Sequence, residues 1–61
     1  MNAADTKLAN QLAADIEQAI THVDNLAMPG TFLHQQYISA TLCENLPKIR
    51  ALIRAVRANA S

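Results

Sequence analysis

Residues 28–31 read Met-Pro-Gly-Thr and form the one clear interruption in a sequence that otherwise favours helices. Pro29 pushes the residue before it out of the helical region of backbone space, so a preceding helix should stop near Ala27. Gly30 permits a positive φ, and the hydroxyl of Thr31 can cap a following helix. A link this short predicts that the two flanking helices are antiparallel neighbours.

The segment before this turn, about residues 5–27, has the periodicity of an amphipathic helix. Its apolar residues recur in alternating three- and four-residue steps, which places them along one stripe of a helix. Further apolar side chains widen the stripe beyond a two-stranded seam, and this width favours a bundle. The residues of this segment that we expect to bind a partner are Leu12, Ile16, Ile20 and Val23.

The segment after the turn, about residues 32–58, predicts a second helix interrupted by Pro47. A proline inside a helix removes one hydrogen bond, and its ring clashes with the carbonyl four residues earlier. The helix either kinks and continues, or ends near Glu44 and restarts with Asn45 or Leu46 as the cap. The unbroken apolar phase favours the kink. The expected partner-binding stripe of this segment comprises Leu33, Ile38, Leu42, Leu46, Ile49, Ile53 and Val56.

These segments together predict an all-α fold with a single helical domain over residues 1–61. The favoured architecture is an antiparallel helical hairpin whose second helix is kinked at Pro47, with the kink or break near residues 44–47. Two such hairpins would pair into a four-helix bundle. If the second helix breaks instead, the alternative architecture is a three-helix bundle.

The chain is small enough to need help with its stability. A domain of 61 residues buries only about 60% of the surface that its unfolded chain exposes, and such domains usually rely on disulfides, a metal or a partner. Cys43 is the only cysteine, so a disulfide within the chain is excluded. The histidines, the cysteine and the carboxylates show no metal-ligand spacing. We therefore expect no metal and no cofactor, which leaves helix packing or a partner.

The residues with potential catalytic chemistry do not form a recognisable constellation. His22 and His34 lie near helix ends, where surface positions are expected. Cys43 has no base placed beside it by the sequence, so we interpret it as a buried or half-buried small apolar residue. The carboxylates are scattered over polar faces with no apolar cleft to shift their pKa. The sequence therefore predicts a protein that is not an enzyme and has no small-molecule substrate.

A cluster of cations lies near the C-terminal end, with Arg50, Arg54 and Arg57 on one side of the predicted helix. We expect these arginines to complement the helix dipole and to pair with Asp15 or Asp24 of the facing helix. The alternatives are the charged rim of a contact with an acidic protein, or a strip that contacts phosphates. A formal net charge of zero argues against a dedicated nucleic-acid binder.

The sequence also bears on cellular location. It shows no basic region followed by an apolar run at its start, and no stretch that approaches the ~20 apolar residues of a membrane span. A single cysteine fits a reducing compartment. We therefore expect a cytoplasmic protein without a membrane partner.

The layout of the chain resembles one known family. Pro29-Gly30-Thr31-Phe32, followed by Gln35, Gln36 and Tyr37, is similar to the turn and helix start of the small E-component co-chaperones of type III secretion needle subunits. The resemblance implies a hairpin that packs against a larger tetratricopeptide-type protein and, with it, keeps the needle subunit unpolymerised in the cytoplasm. Pro47 departs from the continuous second helix of that family.

The surplus of apolar residues on the second segment predicts what the chain does. Two helices packed on each other need one facing stripe each, and the second segment has more than one. We expect a protein partner or a second copy of the chain to cover the excess. The alternative is a plain internal core without a partner. We therefore expect a helical adaptor or co-chaperone that covers an apolar surface of a protein partner. The alternative is a homodimeric four-helix-bundle regulator that contacts nucleic acid through its C-terminal arginines.

Overall fold

The computed structural model describes residues 3–60 and contains three α-helices and no strand within that range. The helices are α1 (Ala3–Leu26), α2 (Phe32–Glu44) and α3 (Leu46–Ala60). The predicted all-α class is confirmed. Helix α1 begins two residues before the expected start, because alanines such as Ala3 have the highest helix propensity. Asp5 consequently lies in its first turn, near the positive end of the helix dipole.

The turn between α1 and α2 is held by Thr31. Its hydroxyl donates to the carbonyl of Met28 at 2.7 Å and accepts from the backbone N–H of His34 at 3.2 Å. Its backbone N–H also donates to the Met28 carbonyl at 3.2 Å. Gly30 has a φ of +93°, as the turn requires. Two residues thus reverse the chain and cap α2.

Replacing Gly30 with alanine should destabilise the fold through backbone strain alone. A Cβ at this position would meet no atom within 4 Å, so no clash contributes. A left-handed φ costs a residue with a Cβ roughly 1–2 kcal/mol, and we expect the free energy of unfolding in urea to fall by that amount. Gln36→Ala, on the outer side of α2, serves as the control and should change the free energy of unfolding by less than about 0.5 kcal/mol. An unchanged Gly30→Ala variant would contradict the turn geometry.

A single residue, Asn45, separates α2 from α3. Its backbone N–H and its side-chain amide donate to the carbonyl of Thr41 at 3.0 and 2.8 Å, which closes α2. Its own carbonyl accepts the N–H of Ile49 at 2.9 Å, which opens α3. Pro47 is the second residue of α3, where a backbone N–H would have no partner inside the helix. The structure therefore has two helices in the range where the kinked-helix prediction has one, because Pro47 cannot donate to the carbonyl of Cys43.

The three helices are arranged in two layers. Helix α1 packs against both α2 and α3, whereas α2 and α3 contact each other far less. The Cα atoms extend over 40 × 16 × 16 Å, with a radius of gyration of 13.6 Å. A compact domain of this length would have a radius of about 10.5 Å. The molecule is consequently elongated, with α2 and α3 in succession along α1, and it differs from a compact three-helix bundle.

The core between the layers is shallow. Only Ala9 and Val23, among the residues that the structure describes, are buried apolar residues, with 8% and 3% exposure. The accessible surface is 4602 Å², whereas a compact monomer of 6.6 kDa would expose about 3,900 Å². The chain thus leaves about 700 Å² more surface in water than a folded protein of its size usually does.

Candidate protein-interaction surface

The side of α2 and α3 that faces α1 is only partly apolar. Its half-buried residues recur in three- and four-residue steps and are His34, Ile38, Thr41, Asn45, Ile49, Leu52 and Ala55. Two of its polar members, His34 and Asn45, are tolerated there because they have hydrogen-bond partners. His34 contacts Asp24, and Asn45 donates to the Thr41 carbonyl. Of the expected stripe on this segment, Ile38 and Ile49 are therefore the members that pack against α1.

Four other members of the expected stripe form an exposed apolar strip. Each stands one position after an inward-facing residue, which rotates it by about 100° around the helix to one side of the molecule. The exposures are 37% for Leu42, 39% for Leu46, 48% for Ile53 and 50% for Val56. We refer to these four residues as the apolar strip. Its members are spaced along α2 and α3 at four, seven and three residues, so they lie along a single line. The exposed Arg50 occupies the seven-residue gap on the same line.

The residues expected on the first segment lie mostly between the layers. Val23 is buried, and Leu12 and Ile16 are half-buried on the side of α1 that faces the other helices. The structure thus places these three against the chain's own helices. Ile20 is half-buried and stands one position after the inward Ala19, which places it on the side of the apolar strip.

A second exposed apolar group lies at the turn end of the molecule. Its members are five large side chains with exposures of 41–75%: Leu26, Met28, Phe32, Leu33 and Tyr37. We refer to them as the turn patch. Residues 25–43 contain no Asp, Glu, Lys or Arg, so no formal charge interrupts this end. Large apolar and aromatic side chains with few charges are the composition of interface cores.

A polar groove runs along the side opposite the apolar strip. It is open to solvent, has a volume of about 420 Å³, and is lined by Asp15, Gln18, Ala19, His22, Asn45 and Lys48. The Lys48 ammonium and the Asp15 carboxylate lie 3.6 Å apart across it, and both side chains are nearly half exposed. An exposed pair contributes less than about 1 kcal/mol. The groove therefore does not provide the enclosed, largely apolar walls that small-molecule sites usually have.

His34 and Asp24 tie the two layers together next to the turn. The His34 Nε2 lies 2.7 Å from the Asp24 Oδ1, and the two side chains are 15% and 45% exposed. The turn at Gly30 and Thr31, together with this contact, determines where α2 starts along α1. Because the pair lies close to the turn patch, it holds the two helices that carry the patch in a fixed relative position.

Removing this contact should cost a measurable part of the stability. We expect His34→Ala and Asp24→Ala each to lower the free energy of unfolding by about 1 kcal/mol, because one partner is left without its hydrogen bond. The double variant should lose less than the sum of the two, and the difference measures the interaction. Additive losses would contradict a direct contact between the two side chains. His22→Ala, in the open groove, is the matched control.

Charges are separated along the long axis. The half that contains the turn, residues 14–45, has four carboxylates and no Lys or Arg, a formal charge of −4. The described residues of the open half, 3–13 and 46–60, have five cations and one carboxylate, a formal charge of +4. The net charge of zero thus results from two opposite halves of one elongated molecule.

The arginines of the predicted rim have a different environment from the expected one. Arg50, Arg54 and Arg57 are exposed on α3. The expected partners are engaged elsewhere, because Asp15 lies beside Lys48 and Asp24 beside His34. The prediction that the arginines pair with these aspartates is therefore wrong. Arg50 stands one position after the inward Ile49, as the strip members do after theirs, so it lies on the line of the apolar strip between Leu46 and Ile53. Arg57 stands one position after Val56, which places it beside the strip.

The chemically reactive side chains lie on separate surfaces. Cys43 is exposed, so its expected burial is wrong. It stands midway between the inward Thr41 and Asn45, which places it on the outer side of α2. His22 lines the groove on the opposite layer. Among residues 3–60 no group of three or more potential ligands could hold a metal ion. Within the same described range, no helix combines the length and the apolarity that crossing a membrane requires.

Comparison with known proteins leaves the family open. No protein-family model matches the chain, and neither the curated proteins nor the solved structures gave a match. The resemblance to the type III secretion co-chaperones remains a prediction. The candidate site is therefore defined by its geometry alone: an apolar strip on one side, a turn patch at one end and two oppositely charged halves.

Proposed function

We propose that the protein is a small, non-enzymatic helical adaptor, of the co-chaperone type, that covers an apolar surface of a protein partner with its turn patch. The observation that carries the proposal is the turn patch itself. Phe32 and Met28 are 73% and 75% exposed at the tip of an elongated molecule, in a range of nineteen residues without a formal charge. Exposing such side chains to water is unfavourable unless another surface covers them.

The hydrogen bonds that hold the turn in place support a binding role for the turn patch. Thr31 and the His34–Asp24 contact hold the turn in one conformation, so little order is lost when a partner binds. Fully burying one large apolar side chain contributes about 1.5–3 kcal/mol. Two such anchors at the tip are sufficient for the energetic centre of a protein–protein contact.

The test is photo-crosslinking from the tip in the native cell. A photoreactive phenylalanine analogue at Phe32 or Met28 should give one discrete protein adduct, and the same analogue at the exposed Gln11 of α1 should give none. The protein identified in this way is then purified and titrated with the chain. Phe32→Ser should weaken its binding by about ten- to a hundredfold. No adduct from either tip position, or equal adducts from Gln11, would contradict the proposal.

A second candidate function follows from the open half. Its five cations include Arg50, Arg54 and Arg57, all exposed, and a local charge of +4 could contact phosphates although the whole chain is neutral. In this function the chain is a homodimeric four-helix-bundle regulator of nucleic acid. It requires RNA or DNA binding that falls steeply with salt and weakens with Arg54→Ala. An absence of binding at about 50 mM salt rejects this function.

A further inference from the structure

We propose that the apolar strip is covered by a second copy of the same chain, packed antiparallel, so that the turn half of each copy lies on the open half of the other. The result is a four-helix bundle of two chains with the two-fold axis perpendicular to the long axis. The inference does not depend on the adaptor role, because the strip and the turn patch are separate surfaces.

The size of the surplus surface fits a dimer. The chain exposes about 700 Å² more than a compact monomer of its mass. A standard protein–protein interface buries about 800 Å² on each partner. Covering the strip side of each copy would therefore return the accessible surface to the usual range. The shallow core supports the same conclusion, since small domains commonly obtain the missing burial by oligomerisation.

The charge distribution identifies the occupant as a second copy and sets its direction. The turn half carries −4 and the open half +4, so the surface is complementary to itself when one copy is reversed. A parallel dimer would place like-charged halves on each other, which is unfavourable. A different protein would have to carry a matching charge gradient of its own.

The apolar strip begins near the middle of the molecule, where the two-fold axis of an antiparallel dimer would pass. Leu42 and Leu46 flank the Asn45 junction near the middle of the molecule, so these leucines meet their counterparts close to the axis. Ile53 and Val56 then lie over the partner copy's α2, whose residues carry no Lys or Arg. No lysine or arginine of α2 lies under these contacts. Arg50, on the line of the strip in the open half, faces the turn half of the partner copy, whose formal charge is −4.

The dimer leaves both turn patches exposed, one at each end. Because the copies are antiparallel, the two patches are separated by roughly the 40 Å length of one molecule. Each dimer would then present two identical binding tips that point away from each other. Two linked sites increase the overall affinity for a partner that repeats at a matching distance.

The first test is the solution mass of the unmodified chain and of matched variants by light scattering. The unmodified chain should have the mass of two chains at micromolar concentration. Leu46→Asp introduces two carboxylates at the axis and should raise the dissociation constant of the dimer at least about a hundredfold. Gln36→Asp adds the same charge on the outer side of α2 and should leave the dimer intact. A one-chain mass for the unmodified chain up to about 100 μM would overturn the proposal and leave the strip to a different protein.

The second test measures direction on the folded dimer and does not need a destabilised variant. Cys43→Ser with Gln36→Cys provides one nitroxide label per chain near the turn end. Antiparallel copies should place the two labels more than about 30 Å apart, because each lies about 14 Å from the middle of the molecule. Parallel copies would give about 20 Å, the width of a bundle plus the label arms. A distance near 20 Å would overturn the antiparallel arrangement.

Discussion

Val23→Ala is expected to lower the free energy of unfolding by about 2–3 kcal/mol. Val23 is the most buried of the described residues, with 3% exposure, and its truncation removes two carbon atoms and leaves a cavity. A chain of this length has a total stability of about 3–9 kcal/mol, so the loss is a large fraction of it. Urea unfolding followed by circular dichroism is the measurement.

Ala14→Gly is the control on the same helix, and it tests only helix propensity. Its cost should be about 1 kcal/mol, because Ala14 is exposed. If Val23→Ala lowers the free energy of unfolding by no more than Ala14→Gly does, packing of α1 against the other helices contributes little to stability. That result would contradict a core centred on Val23.

Leu52→Ala and Ile53→Ala are expected to destabilise the protein in two different ways. Leu52 is half-buried against α1, so its truncation should cost about 2 kcal/mol at every protein concentration. Ile53 is 48% exposed in the single chain, so its truncation should matter only where the second copy covers it. The loss for Ile53→Ala should therefore be largest at high protein concentration and fade as the chain is diluted.

Neighbouring residues of similar size make this comparison a stringent one. Both variants remove apolar side-chain volume from the same helix turn, and both keep the charge. Thermal unfolding at several protein concentrations separates the two effects. A concentration-independent loss for Ile53→Ala would mean that it packs within one chain, and the strip as defined would be wrong.

The sequence was sufficient for the fold class and for the turn. The residues Met-Pro-Gly-Thr favour a turn with a positive φ at Gly30 and a helix cap at Thr31, and the structure shows both. Long runs of strong helix formers left few other possibilities for the remaining residues. Local chemistry decided these features, and local chemistry can be recognised in a sequence.

The direction in which α2 and α3 face was harder to predict. The largest apolar residues of that segment suggested the stripe Leu42, Leu46, Ile49, Ile53 and Val56, whereas the inward stripe includes His34, Thr41 and Asn45. His34 and Asn45 are acceptable between the layers because His34 bonds to Asp24 and Asn45 donates to the α2 backbone. The inward face depends on which residues lie close together in the folded chain, and a single sequence does not show these contacts.

The interaction surfaces were predictable only in outline. A surplus of apolar residues on the second segment indicated that some would remain exposed, but the sequence did not separate Ile38 and Ile49 from the strip. The turn patch required the structure, because Leu26 and Tyr37 belong to different helices and share an end only after the chain reverses. The charge separation could have been found earlier, since four carboxylates surround the turn and five cations lie near the two ends of the chain.

The most direct test of the central claim, that a second copy covers the apolar strip, is thermal unfolding of the unmodified chain at two protein concentrations a hundredfold apart. If two folded copies dissociate as they unfold, a hundredfold increase adds about 2.7 kcal/mol to the stability of the dimer. Spread over the unfolding entropy of two chains, this should raise the Tm by about 10 °C. The same Tm at both concentrations would contradict the claim and show that each chain folds alone with its strip in water.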